Sequence, residues 1–216
     1  LLDEAGTLIK NEWGRVPRQG ANAYWIVRAE MEFNLIKSLY LRRQGKWQEG
    51  IQTAKLATQK GKELIGIETL VDPLQRNFGR SWYMSSMAQL ADHQSAAGLY
   101  AEADLSLREA YQFGKSSGFT DNQMVRIFNG MAWLRNATGR FDDALAYSNR
   151  SEKIVLAQGV QKGAPGWLHT QNPGTLALAG LERWNEAAER FDAVDKEMER
   201  LKTKSPLAFQ AWLRGP

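Results

Sequence analysis

The residues of this 216-residue chain best suited to metal or acid–base chemistry are its two histidines, His93 and His169, and no cysteine accompanies them. Zinc and hydrolytic sites built on helices need imidazoles at close spacing, as in His-Glu-x-x-His, where two rings share one face. Neither histidine lies in such a pattern, so both read as polar side chains on helix faces. Gly114-Lys115-Ser116 imitates the end of a phosphate-binding loop, yet Glu109 occupies the place of that loop's first glycine and the segment follows a helix rather than a strand. A phosphate cradle requires a glycine-rich turn of free backbone N–H groups. Neither Gly-x-Ser-x-Gly nor Gly-x-Gly-x-x-Gly occurs. Glu186, Glu189 and Glu197 are spaced to pair with Arg190 and Arg200 along a helix rather than to act as a general acid and base. The sequence implies no catalytic residue, no cofactor and no metal, and reads as a chain that is not an enzyme.

Composition narrows the classes further. With 43% hydrophobic and 24% charged residues, the chain can bury a sizeable core and is not of the disordered type. No apolar run approaches the roughly 18 to 20 residues that cross a bilayer, so no membrane span is encoded. The net charge of +4 is concentrated early: residues 1–62 hold 11 Lys/Arg against 6 Asp/Glu. A nucleic-acid surface would need a dense basic stripe with interleaved aromatics. Here the basic residues are scattered among acids, so no specific nucleic-acid partner is expected. Without cysteine, disulfides and thiol catalysis are excluded, while the compartment stays open, with a cytoplasmic setting slightly favoured. The sequons Asn136-Ala137-Thr138 and Asn149-Arg150-Ser151 would matter only in a glycosylating pathway. The chain starts at Leu1 and stops inside an amphipathic stretch that opens at Pro206, which reads as a fragment of a longer polypeptide.

The elements that position these residues follow from an internal repeat. One phrase occurs four times: a turn, an aromatic, two polar residues, a small residue, and a further small or apolar residue seven positions later. The copies are Gly45-Lys46-Trp47-Gln48-Glu49-Gly50 with Ala57, Gly98-Leu99-Tyr100-Ala101-Glu102-Ala103 with Ala110, Gly139-Arg140-Phe141-Asp142-Asp143-Ala144 with Ser151, and Glu182-Arg183-Trp184-Asn185-Glu186-Ala187 with Val194. A glycine just past a helix can take the left-handed conformation that ends it, so Gly45, Gly98 and Gly139 read as C-terminal caps. The anchors Trp47, Tyr100, Phe141 and Trp184 open a second helix and wedge between the pair. Three residues on, Gly50, Ala103, Ala144 and Ala187 share the anchor's face and allow a close helix crossing. Amphipathic first helices precede each anchor, over Ala23 to Gln44, Phe78 to Ala97, Asn122 to Ala137 and, more weakly, His169 to Gly180. Asp72-Pro73 predicts a break, with the second of these restarting near Phe78. Strand-like alternation is absent, so the chain is all-α.

These Gly-x-aromatic-x-x-Ala phrases resemble the signature of the tetratricopeptide repeat (TPR) family, over about residues 22–204. The departures are a period of about 42 residues instead of 34, no closing proline, Gly50 in place of alanine, and Gly180 instead of a glycine two before the fourth anchor. The long repeats are similar to those of kinesin light chains and of bacterial proteins whose repeats precede a caspase-like CHAT protease domain. The resemblance implies a right-handed superhelical solenoid of about four stacked helix-turn-helix hairpins over residues 22–204. Residues 1–21 would then be the end of a preceding helix and a linker, and 205–216 the start of a further helix. It also implies a non-catalytic module that binds a protein or peptide, or else a regulatory repeat region of an enzyme, such as a CHAT-type protease, acting within the same polypeptide.

In such a solenoid the first helices line the concave surface. The family's groove positions fall on Glu32, Leu35, Leu39 and Arg42; on Ser85, Ala88, Asp92 and Ser95; on Arg126, Asn129, Trp133 and Asn136; and on His169, Asn172, Leu176 and Ala179. Steps of three, four and three keep each set on one face. The third set is the most ligand-like, because an arginine, two amides and a large aromatic suit an extended peptide or a carboxylate. The lysine and asparagine of the chaperone-tail clamp of related cochaperones are missing from the fifth and ninth positions. Four other tryptophans, Trp25, Trp82, Trp133 and Trp167, lie in or near first helices. Core packing is the plain reading for all of them but Trp133.

Overall fold

The computed structural model describes residues 15–204 together with Glu4, Gly6, Thr7, Leu8 and Asn11. The helix expected at 205–216 lies outside the described residues, as does most of the segment 1–21. Between residues 20 and 204 the chain forms α1 (Gly20–Arg43), α2 (Trp47–Gly66), α3 (Pro73–Ala96), α4 (Tyr100–Ser116), α5 (Val125–Ala137), α6 (Phe141–Ala157), α7 (Pro165–Gly180) and α8 (Trp184–Lys204). Short 3-10 turns at Glu68–Leu70 and Asp121–Met124 complete the order, and no strand occurs among the described residues. Consecutive helices pack as antiparallel hairpins within two compact units, residues 1–119 and 120–216.

In the first unit, Tyr24, Val27, Met31 and Leu35 recur at steps of three and four along α1 and meet Ala57 and Leu64 of α2. Buried Tyr24 donates its hydroxyl to the Gln75 carbonyl at 2.6 Å, tying α1 to the start of α3. The sequence predicts a restart near Phe78, but α3 begins at Pro73. Proline at the first helical position sacrifices an N–H that has no intrahelical partner anyway, and Asp72 caps the turn by accepting from the Gln75 N–H at 3.0 Å. Ile51 and Ala54 of α2 pack on Leu90 of α3. A polar seam sets the register between α1 and α3. Gln89 donates to the Leu35 carbonyl at 2.8 Å and the Ser38 hydroxyl at 2.7 Å. His93, placed on a helix face by the sequence reading, is buried with its ring nitrogens 2.8 Å from the Gln89 carbonyl and 3.0 Å from that of Ser38. A Cβ on Gly50 would stand 3.1 Å from the His93 ring, which gives a physical reason for glycine where the resembling family carries alanine.

In the second unit, Val155 of α6, Trp167 and Leu168 of α7 and Val194 of α8 form a shared core. Pro173 sits inside α7, and the Asn136 side-chain amide of α5 donates to its carbonyl at 2.7 Å. The pairing foreseen between Arg190 and acids of its own helix is not what forms. Arg190 turns inward and meets Glu152 of α6 at 3.2 Å, and donates to the Ser148 hydroxyl and the Asn149 side-chain amide oxygen. Trp167 donates its indole N–H to the same Glu152 carboxylate at 2.9 Å, so three helices converge on one acid. Burial pushes the Arg190 guanidinium below its ordinary range, with Glu152 opposing that shift. Arg183 and Arg200 do pair with Glu186 and Glu197 along α8.

The hairpin turns share one hydrogen-bond pattern. Gly45, Gly98 and Gly139 have φ of +74°, +77° and +72°, and the next residue donates back to the helix, as Arg140 N–H does to the Arg135 carbonyl at 2.8 Å. In the fourth turn Glu182, with φ of +59°, takes the left-handed place, and Arg183 N–H reaches the Leu178 carbonyl at 2.9 Å. Gly180 serves another purpose: a side chain there would overlap the Phe141 ring.

Candidate functional site

The sixteen groove positions divide between the two units. In the first, Leu35 is part of the core and Ala88 is buried, which leaves Glu32, Leu39 and Arg42 on α1 and Ser85, Asp92 and Ser95 on α3 half-buried. Glu32 is held by Arg28 at 2.8 Å.

The second unit concentrates the more ligand-like set. Arg126, Asn129 and Asn136 on α5 are half-buried, while Trp133 between the two asparagines keeps 44% of its surface exposed. On α7, His169, Asn172 and Ala179 are half-buried and Leu176 is exposed. The Asn136–Pro173 hydrogen bond turns this face of α5 toward α7, so the two sets border one another. The side-chain oxygens of Asn129 and Asn136 are buried and accept no hydrogen bond within the described residues. A buried acceptor left unpaired costs on the order of 1 to 3 kcal/mol. Burial holds the His169 imidazole below its usual pKa, so at neutral pH the ring contributes a neutral donor and acceptor rather than a cation. The face therefore offers a neutral imidazole and an indole plane, with the amide oxygens of Asn129 and Asn136 buried beneath it. No group of His, Cys, Asp and Glu able to hold a metal ion occurs among the described residues.

The anchors are placed at the first position of each second helix. Gly50, Ala103, Ala144 and Ala187 are buried at the crossings. Trp47 and Tyr100 keep 43% and 40% of their surface exposed and Trp184 keeps 64%, whereas Phe141 lies against Gly180. Close crossing is thus carried by the small residue more than by the aromatic. Sequence reasoning missed the Glu152–Trp167–Arg190 junction. Its one local signal was Ser148 and Glu152, polar and one turn apart on a face of α6 that otherwise packs inward.

No protein-family model matches the chain, and no curated protein matches it either. A solved structure from Podospora anserina, described as a kinesin light chain with nearly identical TPR-like repeats, aligns with a TM-score of 0.55. The alignment covers 94% of this chain and 87% of that one at 15% identity. The fold is that of TPR-like repeats. At this identity the likeness speaks for the fold alone. None of the helices described is long and apolar enough to cross a membrane.

Proposed function

We propose that this TPR-like chain is a protein-interaction module that takes an extended peptide across the α5–α7 face of residues 120–204. The observation that carries the reading is Trp133, exposed between two half-buried asparagines whose amide oxygens have no hydrogen-bond donor among the described residues. An extended peptide presents backbone N–H groups at regular spacing. Trp133 covers an apolar side chain of such a peptide, with His169 and Asn172 of α7 bordering the strand. TPR-like folds generally serve protein recognition, which supports the class of ligand. The alternative of a repeat region governing an enzyme in the same polypeptide, a CHAT-type protease being the concrete form, would use the same face on an internal ligand.

The test selects binders to the chain from a random 12-residue display library and measures their affinities for the Trp133→Ala and Asn129→Ala variants, each first checked for helicity. Loss of a central aromatic contact should weaken binding at least tenfold, about 1.4 kcal/mol. Selected peptides that bind both folded variants as well as the parent would refute the site.

A further inference from the structure

Helix α7 carries Pro173 near its middle. Proline withholds the N–H that the carbonyl one turn earlier would accept and crowds that carbonyl, so a helix bends or weakens there. The four groove positions of α7 lie on both sides of it, His169 and Asn172 before and Leu176 and Ala179 after. The angle between the two halves therefore decides whether the four line up beside Trp133 of α5. Pro173 and Gly174 are buried, and side chains from three neighbouring helices close on them. From α5, the Asn136 amide donates to the Pro173 carbonyl at 2.7 Å. From α6, the Ser148 hydroxyl donates to the Thr170 carbonyl, one turn before the proline, at 2.6 Å. From α8, the Arg190 guanidinium comes so near that a Cβ on Gly174 would stand 2.6 Å from it. Ser148 and Arg190 are joined to each other at 3.2 Å and make one wall of the bend. Asn136 holds it from the helix that bears Trp133.

The resemblance assigns Asn136 to the ligand groove, but its geometry points elsewhere. Its amide nitrogen is committed to the Pro173 carbonyl, and its Oδ1 is buried with no hydrogen bond among the described residues. A carbonyl oxygen has two lone pairs, so an amide from a neighbouring helix can bind it without displacing the helix's own N–H. We infer that Asn136 is a positioning residue. By holding the Pro173 carbonyl it fixes the bend of α7, and with it the placing of His169 and Asn172 opposite Trp133, without touching the ligand. Its effect on recognition rests on the α5–α7 reading proposed above, whereas the hold on the bend is a property of the free chain. A helix that ran straight through position 173 would need no such hold. Asn136 and Pro173 are therefore a coupled pair, and each loses its effect when the other is gone.

A double-mutant cycle on the free chain reads this coupling. Backbone amide exchange at residues 175–179, the half of α7 beyond the bend, is compared in the parent, Asn136→Ala, Pro173→Ala and the double variant, at a temperature where all keep the parent's helicity. Asn136→Ala should speed exchange at these amides by roughly tenfold or more. On the Pro173→Ala background, where the missing N–H is restored, the same change should alter it by less than about twofold. Asn136→Asp keeps the size of the side chain and loses its donor, so it should match the alanine variant, and it replaces that variant in the cycle if alanine prevents folding. Parental exchange in both Asn136 variants overturns the inference. Equal acceleration with and without the proline also overturns it, because Asn136 would then be a packing residue only. Binding gives a second readout. For peptides selected as above whose affinity depends on Trp133, Asn136→Ala should weaken binding by roughly tenfold on the parent and add less than about twofold to the cost of Pro173→Ala. Peptides that need Trp133 yet bind Asn136→Ala as tightly as the parent overturn the inference and leave the site in place. Peptides indifferent to Trp133 refute the site, and the exchange comparison alone then decides the role of Asn136.

Discussion

Replacing Glu182 with glycine should stabilise the chain, and the structure sets both the sign and the size. Glu182 is the one described residue other than glycine with positive φ, and it fills the turn position that Gly45, Gly98 and Gly139 fill in the other hairpins. An L residue held in the left-handed region carries roughly 1 to 2 kcal/mol of steric cost between Cβ and backbone. Glycine removes that cost, but its freer unfolded chain takes back about 0.4 to 1 kcal/mol. The Glu182 side chain is exposed and enters no ion pair or hydrogen bond in the described structure, so its loss subtracts nothing. The net gain is about 0.5 to 1 kcal/mol, read as a rise in the urea midpoint at unchanged slope. Two controls isolate the cause. Glu182→Ala keeps the Cβ and should gain nothing, and Gly98→Ala should lose a similar amount, since a Cβ at Gly98 meets no atom within 4 Å and only the backbone is strained. Equal gains for Glu182→Gly and Glu182→Ala, or a harmless Gly98→Ala, would refute the reasoning.

Ala144, fully buried at the α5–α6 crossing, should not admit a larger side chain: Ala144→Leu is expected to cost about 1 to 3 kcal/mol by overpacking, measured by chemical denaturation. Arg190→Met strands the partly buried Glu152 carboxylate with only the Trp167 indole as partner, and should cost about 2 to 3 kcal/mol, with a change in tryptophan emission on unfolding as the readout. His169 has a folded-state pKa below its unfolded value of about 6.5, so the unfolded chain binds the proton first. Its contribution is therefore complete above pH 6.5 and is lost as pH falls through that value toward the folded-state pKa. His169→Gln should make the difference between denaturation midpoints at pH 7.5 and 5.5 smaller, and an unchanged difference would remove His169 as the cause.

The hairpins were legible because their determinants are local. A glycine that ends a helix, an aromatic that begins the next and a small residue at the crossing all lie within six positions, where propensity and periodicity act directly. Features that failed to show in the sequence depend on what the other helix brings. His93 and Gly50 are 43 residues apart in the chain, and nothing near either one announces that an imidazole fills the space left by a missing methyl. Arg190 has acids one turn away on its own helix, and local pairing was the natural expectation. Glu152, together with hydrogen bonds to Ser148 and Asn149, instead offsets the desolvation of the buried guanidinium. Helix α3 starts five residues before the Phe78 the sequence suggests, because Pro73 opens the helix as its first residue instead of breaking it. For the α5–α7 face, spacing identified which side chains share a side, while the unpaired amide oxygens and the exposure of Trp133 required coordinates.

The contact between Gly50 and His93 bears on how this chain could be redesigned. With the imidazole in place, alanine at position 50 would bring its Cβ to 3.1 Å from a ring held between two carbonyls, although alanine suits this crossing at Ala103, Ala144 and Ala187. Repeat-averaging design would write alanine at position 50 because the other hairpins have it, and would then need the ring to give by a few tenths of an ångström or position 93 to be redesigned with it.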